Sequence, residues 1–124
     1  MDGKKRVLVI DDEPGVLNFI DVSLSAAGYE VITTTDGEEG LKLVDLAKPH
    51  VLILDILMRP LTGFEVLERL RAFSKLPVIV FTARNDIGAA ALDEGASAFL
   101  AKPFRPEELA KAIEDVLDAQ QTRT

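Results

Sequence analysis

Four places in the chain carry a polar or charged residue directly after a run of apolar, β-favouring residues. Asp11-Asp12-Glu13 follows RVLVI (6–10), Asp55 follows HVLIL (50–54), Thr82 follows PVIVF (77–81) and Lys102 closes SAFLA (97–101). Carboxylates crowded into one space repel, and some take up protons unless a cation sits among them. A few carboxylates with a backbone carbonyl and waters suit Mg²⁺, which keeps several waters and bridges readily to phosphate. An ammonium and a hydroxyl add the donors that a phosphoryl group needs. Singly, each acid is as well explained as a helix cap, because caps favour Asp. Four matching ends in one chain point instead to a shared site.

The elements that must bring these residues together are legible from periodicity. A fifth apolar run, YEVIT (29–33), completes a set of strands, and helical patterns separate them. In the first helix Val16, Ile20, Leu24 and Ala27 fall on one face, with Pro14 suited to the opening turn and Gly28 to the end. The second opens at Asp36-Gly37-Glu38-Glu39, and the third at Thr62 with Glu65 three residues on, both cap patterns. The third then carries Val66, Leu67, Leu70 and Phe73. The fourth, Asp86 to Gly95, has Gly88 and three consecutive alanines, so its packing face is thin and mobility is expected there. The fifth begins with Pro106, Glu107 and Glu108 and continues with Leu109, Ala112, Ile113, Val116 and Leu117. Strict alternation of strand and helix implies an α/β fold: a doubly wound, five-stranded parallel sheet with right-handed crossovers and helices on both faces. The most apolar runs (first, third and fourth) belong in the centre, and the Thr-rich second and smaller fifth at the edges. The expected order is 2-1-3-4-5, flavodoxin-like, with its switch point between strands 1 and 3. All four polar strand ends then lie on one edge of the sheet.

Composition narrows the function classes. The 124 residues fit one domain, with residues 1–120 expected to form it and a polar tail at 121–124, within AQQTRT. With 14 basic and 21 acidic residues the net charge is −7, which argues against direct nucleic-acid binding or attraction to an anionic membrane. No cysteine is present, so thiol catalysis and thiolate metal sites are excluded. No apolar run approaches the roughly 18 residues of a spanning helix, and MDGKKRVLVIDDEP lacks a signal-peptide core. A cytoplasmic location is the default expectation.

VIDDE (9–13), LD (54–55) with Met58 and Gly63, VFTA (80–83) and AKPF (101–104) together resemble the receiver domain of bacterial two-component response regulators, of the chemotaxis-regulator type. The likeness runs over essentially the whole chain and rests on the combined order and spacing of these motifs. It implies that Asp55 is the phosphoacceptor that attacks the phosphohistidine of a partner kinase. It implies Mg²⁺ as cofactor, bound by Asp12, Asp55 and the backbone carbonyl of Leu57, with Asp11 acting through water. Lys102 corresponds to the lysine that pairs first with the acceptor and then with the phosphoryl group. Thr82 corresponds to the switch hydroxyl, and Phe99 to the aromatic that turns inward in response. The implied output surface is the fourth helix, fifth strand and fifth helix, facing an effector or output domain. Such a domain catalyses its own phosphorylation and dephosphorylation without being a conventional enzyme. Its partners would be a histidine kinase or histidine phosphotransfer protein.

The chain also departs from the family pattern. Proline usually follows the residue matched by Met58; here Arg59 does, and Pro60 comes one position later, with Gly63 at its expected distance. Arg59 therefore keeps a backbone N–H and brings a long cation. Leu57 and Arg84 border the expected path of attacking water. Phe99 lacks a hydroxyl and can switch only by packing. The lone histidine, His50, precedes the third strand at the opposite edge from Asp55 and reads as a loop residue after Lys48-Pro49. In winged-helix transcription factors of this superfamily an acidic pair precedes the switch aromatic and an arginine lies on the fifth helix; Ser97-Ala98 and Ala112 occupy those places. This weakens the expectation of a phosphorylation-dependent homodimer without removing it.

Other functions fit less well. A haloacid-dehalogenase-type hydrolase wants a second acid two residues after its nucleophile, where Leu57 stands. A flavodoxin-like FMN carrier wants hydroxyls and glycine after the first strand, where Asp11-Asp12-Glu13 would repel phosphate. A docking module that is never phosphorylated would have no need of Asp12, Asp55, Thr82 and Lys102 together. Three contexts remain open for a receiver: a stand-alone regulator, part of a longer regulator with a DNA-binding output domain, or part of a hybrid histidine kinase.

Overall fold

The computed structural model describes residues 3–121. Five strands alternate with five helices: β1 (Arg6–Ile10), α1 (Pro14–Ala26), β2 (Glu30–Thr34), α2 (Gly37–Ala47), β3 (Val51–Asp55), α3 (Gly63–Arg71), β4 (Val78–Thr82), α4 (Asn85–Asp93), β5 (Ala98–Ala101) and α5 (Pro106–Gln121). All strand pairs are parallel, and the order is β2-β1-β3-β4-β5, as expected from the alternation. The most apolar strands are central: every residue of β3 and β4 is buried. This follows from a sheet covered on both faces, which needs apolar side chains in both directions.

Strand parity divides the core in two. Val7, Val9, Val51, Ile53, Ile79 and Phe81 point to α1 and α5, meeting Leu17, Ile20, Leu24, Leu109, Ile113 and Val116. Leu8, Ile10, Leu52, Leu54, Val78 and Val80 point to the other face, meeting Val44 of α2, Val66, Leu67 and Leu70 of α3, and Ala91 of α4. Each of these side chains except Ala91 contributes roughly 1.5–3 kcal/mol when fully buried.

Several element bounds and faces differ from the sequence reading. β2, β3 and β4 each run one residue later, so that Asp55 and Thr82 are the last residues of their strands, paired with Phe81 and Ala101. On α1 Leu17 joins Ile20 and Leu24 in the core, Val16 is half-buried, and Ala27 is an exposed C-cap. Phe73 falls past the end of α3 and is 58% exposed, because the helix stops at Arg71. Helix α5 runs through Gln121, into the expected polar tail at 121–124; residues 122–124 of that tail lie outside the described residues. Gly88 in α4 does not merely thin a packing face. A Cβ there would lie 2.3 Å from the Phe99 ring, so the glycine is what lets α4 close over β5.

The caps behave as their residues dictate. Asp36 accepts from the Glu38 N–H, and Thr62 with Glu65 forms a reciprocal capping box at the start of α3. Immediately after that cap, Gly63 is pressed against the end of β3. A Cβ at Gly63 would lie 2.4 Å from the Asp55 carbonyl oxygen and 2.5 Å from Ile56 Cα, both backbone atoms that cannot swing away. Gly63→Ala is expected to cost roughly 1–3 kcal/mol in urea denaturation, as overpacking does. Gly15→Ala in α1, where nothing lies within 4 Å, should be neutral or stabilising by up to about 1 kcal/mol. Equal effects of the two substitutions would contradict this packing account.

Candidate phosphoryl and cation site

Parallel strands place their C-terminal ends on one edge of the sheet, and there β1, β3, β4 and β5 deliver their polar residues. The Asp11 N–H donates to the Thr34 carbonyl at 3.2 Å, so the ladder with β2 continues one step beyond Ile10 and holds Asp11 in the sheet. Asp11 has no exposed surface, and Asp55 is 4% exposed. Asp12, the next residue, is exposed. One carboxylate oxygen from each of these three acids lies within 4.8 Å of the others.

Each carboxylate is held by a backbone N–H. Asp11 Oδ1 accepts from Glu13 at 2.8 Å, Asp55 Oδ1 from Leu57 at 3.2 Å, and Asp12 Oδ2 from Arg59 at 3.2 Å. The Lys102 ammonium lies 3.7 Å from Asp55 Oδ1 and 3.9 Å from Asp11 Oδ2. The same ammonium sits 4.7 Å from the centroid of the buried Phe81 ring, a cation–π contact that helps to fix it. Phe81 in turn meets Phe104 edge-on, with centroids 5.8 Å apart.

Thr82, 1% exposed, is the last residue of β4; its hydroxyl oxygen accepts from the Arg84 N–H, and its carbonyl accepts from the Lys102 N–H at 2.9 Å. Asp12, Asp55, Leu57, Thr82 and Lys102 border one open depression of about 350 Å³. Phe99 lies elsewhere. It pairs with Val80 in register and is half-buried on the face covered by α4, against Gly88. Thr82, two residues after Val80, shares that face by strand parity. His50 is exposed before β3, where its Nδ1 accepts the Arg6 N–H at 2.9 Å.

The electrostatics follow from three acids facing one ammonium. Burial is the main reason that the Asp11 carboxyl is pushed up to about 7; the Glu13 N–H and Lys102 oppose it, and Asp55 adds to it. Burial also raises Asp55, against the pull of Lys102 and of the Leu57 N–H. Asp11 Oδ2 is buried without a hydrogen-bond partner. A buried carboxylate oxygen without a hydrogen bond, in a net anionic group of three acids that can each bring an oxygen within 4.8 Å of the others, fits a hard divalent cation.

Two features escaped the sequence reading. Phe81 as the platform for Lys102 was masked by its place in an apolar strand, although its alternation with Ile79 sets the face it points to. The Arg59 N–H on Asp12 joins residues 47 positions apart, and nothing local announces it.

Comparison with known proteins gives the chain a family and a fold. The family model described as "Response regulator receiver domain" matches residues 7–114. The chain is 40% identical over 116 residues to a probable transcriptional regulator, ycf27, of Cyanophora paradoxa, covering 92% of this chain and 48% of that protein. It is 34% identical to the alkaline phosphatase synthesis transcriptional regulatory protein PhoP of Bacillus subtilis, covering 91% and 48%. The chain thus spans about half the length of the curated relatives it matches. Among solved structures, the chemotaxis response regulator CheY4 of Vibrio cholerae superposes with a TM-score of 0.85 at 33% identity, covering 91% of this chain and 98% of that one. A CheY-like receiver domain protein of Methanospirillum hungatei gives 0.90 at 27% identity, covering 98% and 100%.

The raised Asp11 pKa has a definite sign for stability. A carboxyl whose folded pKa lies above its ordinary 3.8 favours the folded state while protonated; the contribution is complete below about pH 4 and lost as pH rises through about 7. Asp11→Asn keeps the shape without the charge. In chelator-treated protein it should raise the thermal midpoint by about 5 °C or more at pH 8 and by much less at pH 5. The same gain at both pH values would contradict the assignment.

Proposed function

The chain belongs to the response regulator receiver domain family, and from that premise we propose that Asp55 takes a phosphoryl group from a phosphohistidine of a partner histidine kinase or histidine phosphotransfer protein. One observation carries this reading. Asp55 is a nearly buried carboxylate at a rigid strand end, open to the depression and 3.7 Å from an ammonium. A carboxylate oxygen of Asp55 attacks phosphorus as the donor's P–N bond breaks, and that electron pair returns to the imidazole nitrogen. Such transfer needs positioning and charge neutralisation more than covalent help. Asp55 is positioned by β3 and by the Leu57 N–H, and Lys102 holds a positive charge where the phosphoryl oxygens would gather. Asp12, Asp55 and the Leu57 carbonyl would hold Mg²⁺, with Asp11 through water. Bound there, Mg²⁺ supplies the positive charge that lets a carboxylate and an anionic phosphoryl group approach. An apolar surface formed by Val16, Phe19, Pro103 and Phe104 adjoins Lys102 and offers a docking place for the phosphohistidine partner.

The phosphoryl group adds roughly −1.5 to −2 charge. Thr82 and Lys102 are its donors, and they lie on β4 and just past β5. Thr82 shares a sheet face with Phe99, so a pull on the hydroxyl acts next to the ring that α4 covers. Helix α4, β5 and α5 would thus form the output surface. The curated relatives are named as transcriptional regulators or probable ones and are about twice as long, which favours a receiver module working with a DNA-binding output domain, in the cytoplasm. Residues 1–120 would act as the receiver unit.

Acetyl phosphate with Mg²⁺ is expected to add one phosphoryl mass to the wild type, none to Asp55→Asn, and none to wild type in excess chelator. An unlabelled wild type, or equal labelling of the variant, would overturn the assignment. Amide exchange over residues 84–117 should change with a phosphoryl mimic; identical exchange would remove the proposed output surface.

A further inference from the structure

The three site carboxylates are oriented in two different ways. Asp11 and Asp55 each accept from the backbone two residues on, so their own segments fix them. Both are also buried, and packing restricts their rotamers. Asp12 has neither support: it is solvent-exposed, and its backbone donor is Arg59, from the loop between β3 and α3.

That loop is built to hold the donor still. Ile56 and Met58 are buried on either side of exposed Leu57, which pins the backbone just before Arg59. The Gly63 N–H closes the loop on the Ile56 carbonyl at 3.0 Å, and the missing Cβ at Gly63 allows that approach. The capping box of Thr62 and Glu65 fixes its far end. Pro60 follows the donor; a proline at 59 would have no N–H to offer. The order Arg59-Pro60 therefore leaves the hydrogen bond intact, whereas proline one position earlier would delete it.

We propose that Arg59 is a positioning residue of the cation site, acting through its backbone N–H, which sets the orientation of Asp12. The inference rests on the proposed Mg²⁺ site. Partners that orient a metal ligand typically change affinity by about 10- to 100-fold when removed. The role belongs to the amide and not to the guanidinium, so Arg59→Ala keeps it and Arg59→Pro deletes it.

Mg²⁺ titrations followed by ¹⁵N–¹H spectra of the full chain test this. Arg59→Pro is expected to bind Mg²⁺ about tenfold more weakly than Arg59→Ala. Because proline at 59 could also distort the loop, a second arm uses no proline. In Asp12→Ala without metal, the Arg59 amide should shift upfield and lose exchange protection, while the Leu57 and Gly63 amides keep theirs. Equal affinity of the two Arg59 variants, or an Arg59 amide unmoved by Asp12→Ala, would overturn the proposal. A wild type that binds no Mg²⁺ would instead defeat the cation assignment, and the Asp12→Ala arm would still decide whether the hydrogen bond exists.

Discussion

Asp11 and Asp55 are two almost wholly buried carboxylates at the ends of the largely apolar strands β1 and β3, Asp55 bordering the open depression. Charges so placed cost several kcal/mol each in lost solvation, and mutual repulsion adds to it. The surroundings of the site can be understood as answers to that cost. Lys102 supplies one positive charge to both acids, worth about 4 kcal/mol per pair in attraction at surface-like screening. Three backbone amides supply partial charges. One ammonium does not balance three carboxylates: burial, with carboxylate repulsion added to it, raises the pKa values of Asp11 and Asp55, and Asp11 Oδ2 has no hydrogen bond. This imbalance makes the cluster receptive to a divalent cation.

Strand parity connects this edge to the rest of the molecule. Phe81 points to the α1/α5 face and carries Lys102 on its ring, whereas Thr82, one residue on, belongs to the α4 face with Phe99. Adjacent residues of one strand therefore address opposite layers. The α1/α5 face is filled by Leu and Ile from both helices, and the aromatic chain Phe81–Phe104–Phe19 extends it outward. The α4 face is closed by Gly88 against one half-buried ring. A helix held mainly by glycine and alanine, with one partly buried isoleucine, Ile87, has less dispersion and burial to lose when displaced than one held by leucines. The thin packing noted in the sequence and the snug Gly88–Phe99 contact are thus compatible: the fit is close, but little area secures it.

The sheet order, its central strands, the family and the polar strand ends were legible because each has a local signal. Alternation of strand and helix sets a parallel sheet, continuous apolar runs mark buried strands, and parallel strands share one C-terminal edge. Thr62 with Glu65 was readable as a cap because the spacing itself is the mechanism. Other features depended on tertiary placement. Phe73 has the right helical spacing for a core residue, yet the helix ends two residues before it. Gly88 reads as a weak point in a helix and Gly63 as a motif residue at a set distance from Asp55; only their neighbours, the Phe99 ring and the Asp55 carbonyl, reveal close approach. The Arg59–Asp12 bond spans two crossovers, and its acceptor and donor carry no shared pattern.

A site with unbalanced negative charge needs rigid backbone support, because repelling carboxylates on mobile segments would simply move apart. The molecule places its two buried acids in or next to the sheet and fixes the exposed one from a pinned loop. Replacing Asp11 or Asp55 with a neutral isostere would relieve the cost of burying charge, and repulsion with it, and strengthen the metal-free fold, so their presence opposes stability at neutral pH. A charge cluster that weakens the fold, yet is held in place by three amides, an ammonium and an aromatic ring, is hard to explain as structural. Under the proposed function a cation and a phosphoryl group would complete the arrangement, and the repulsion present in the metal-free state would then contribute to binding.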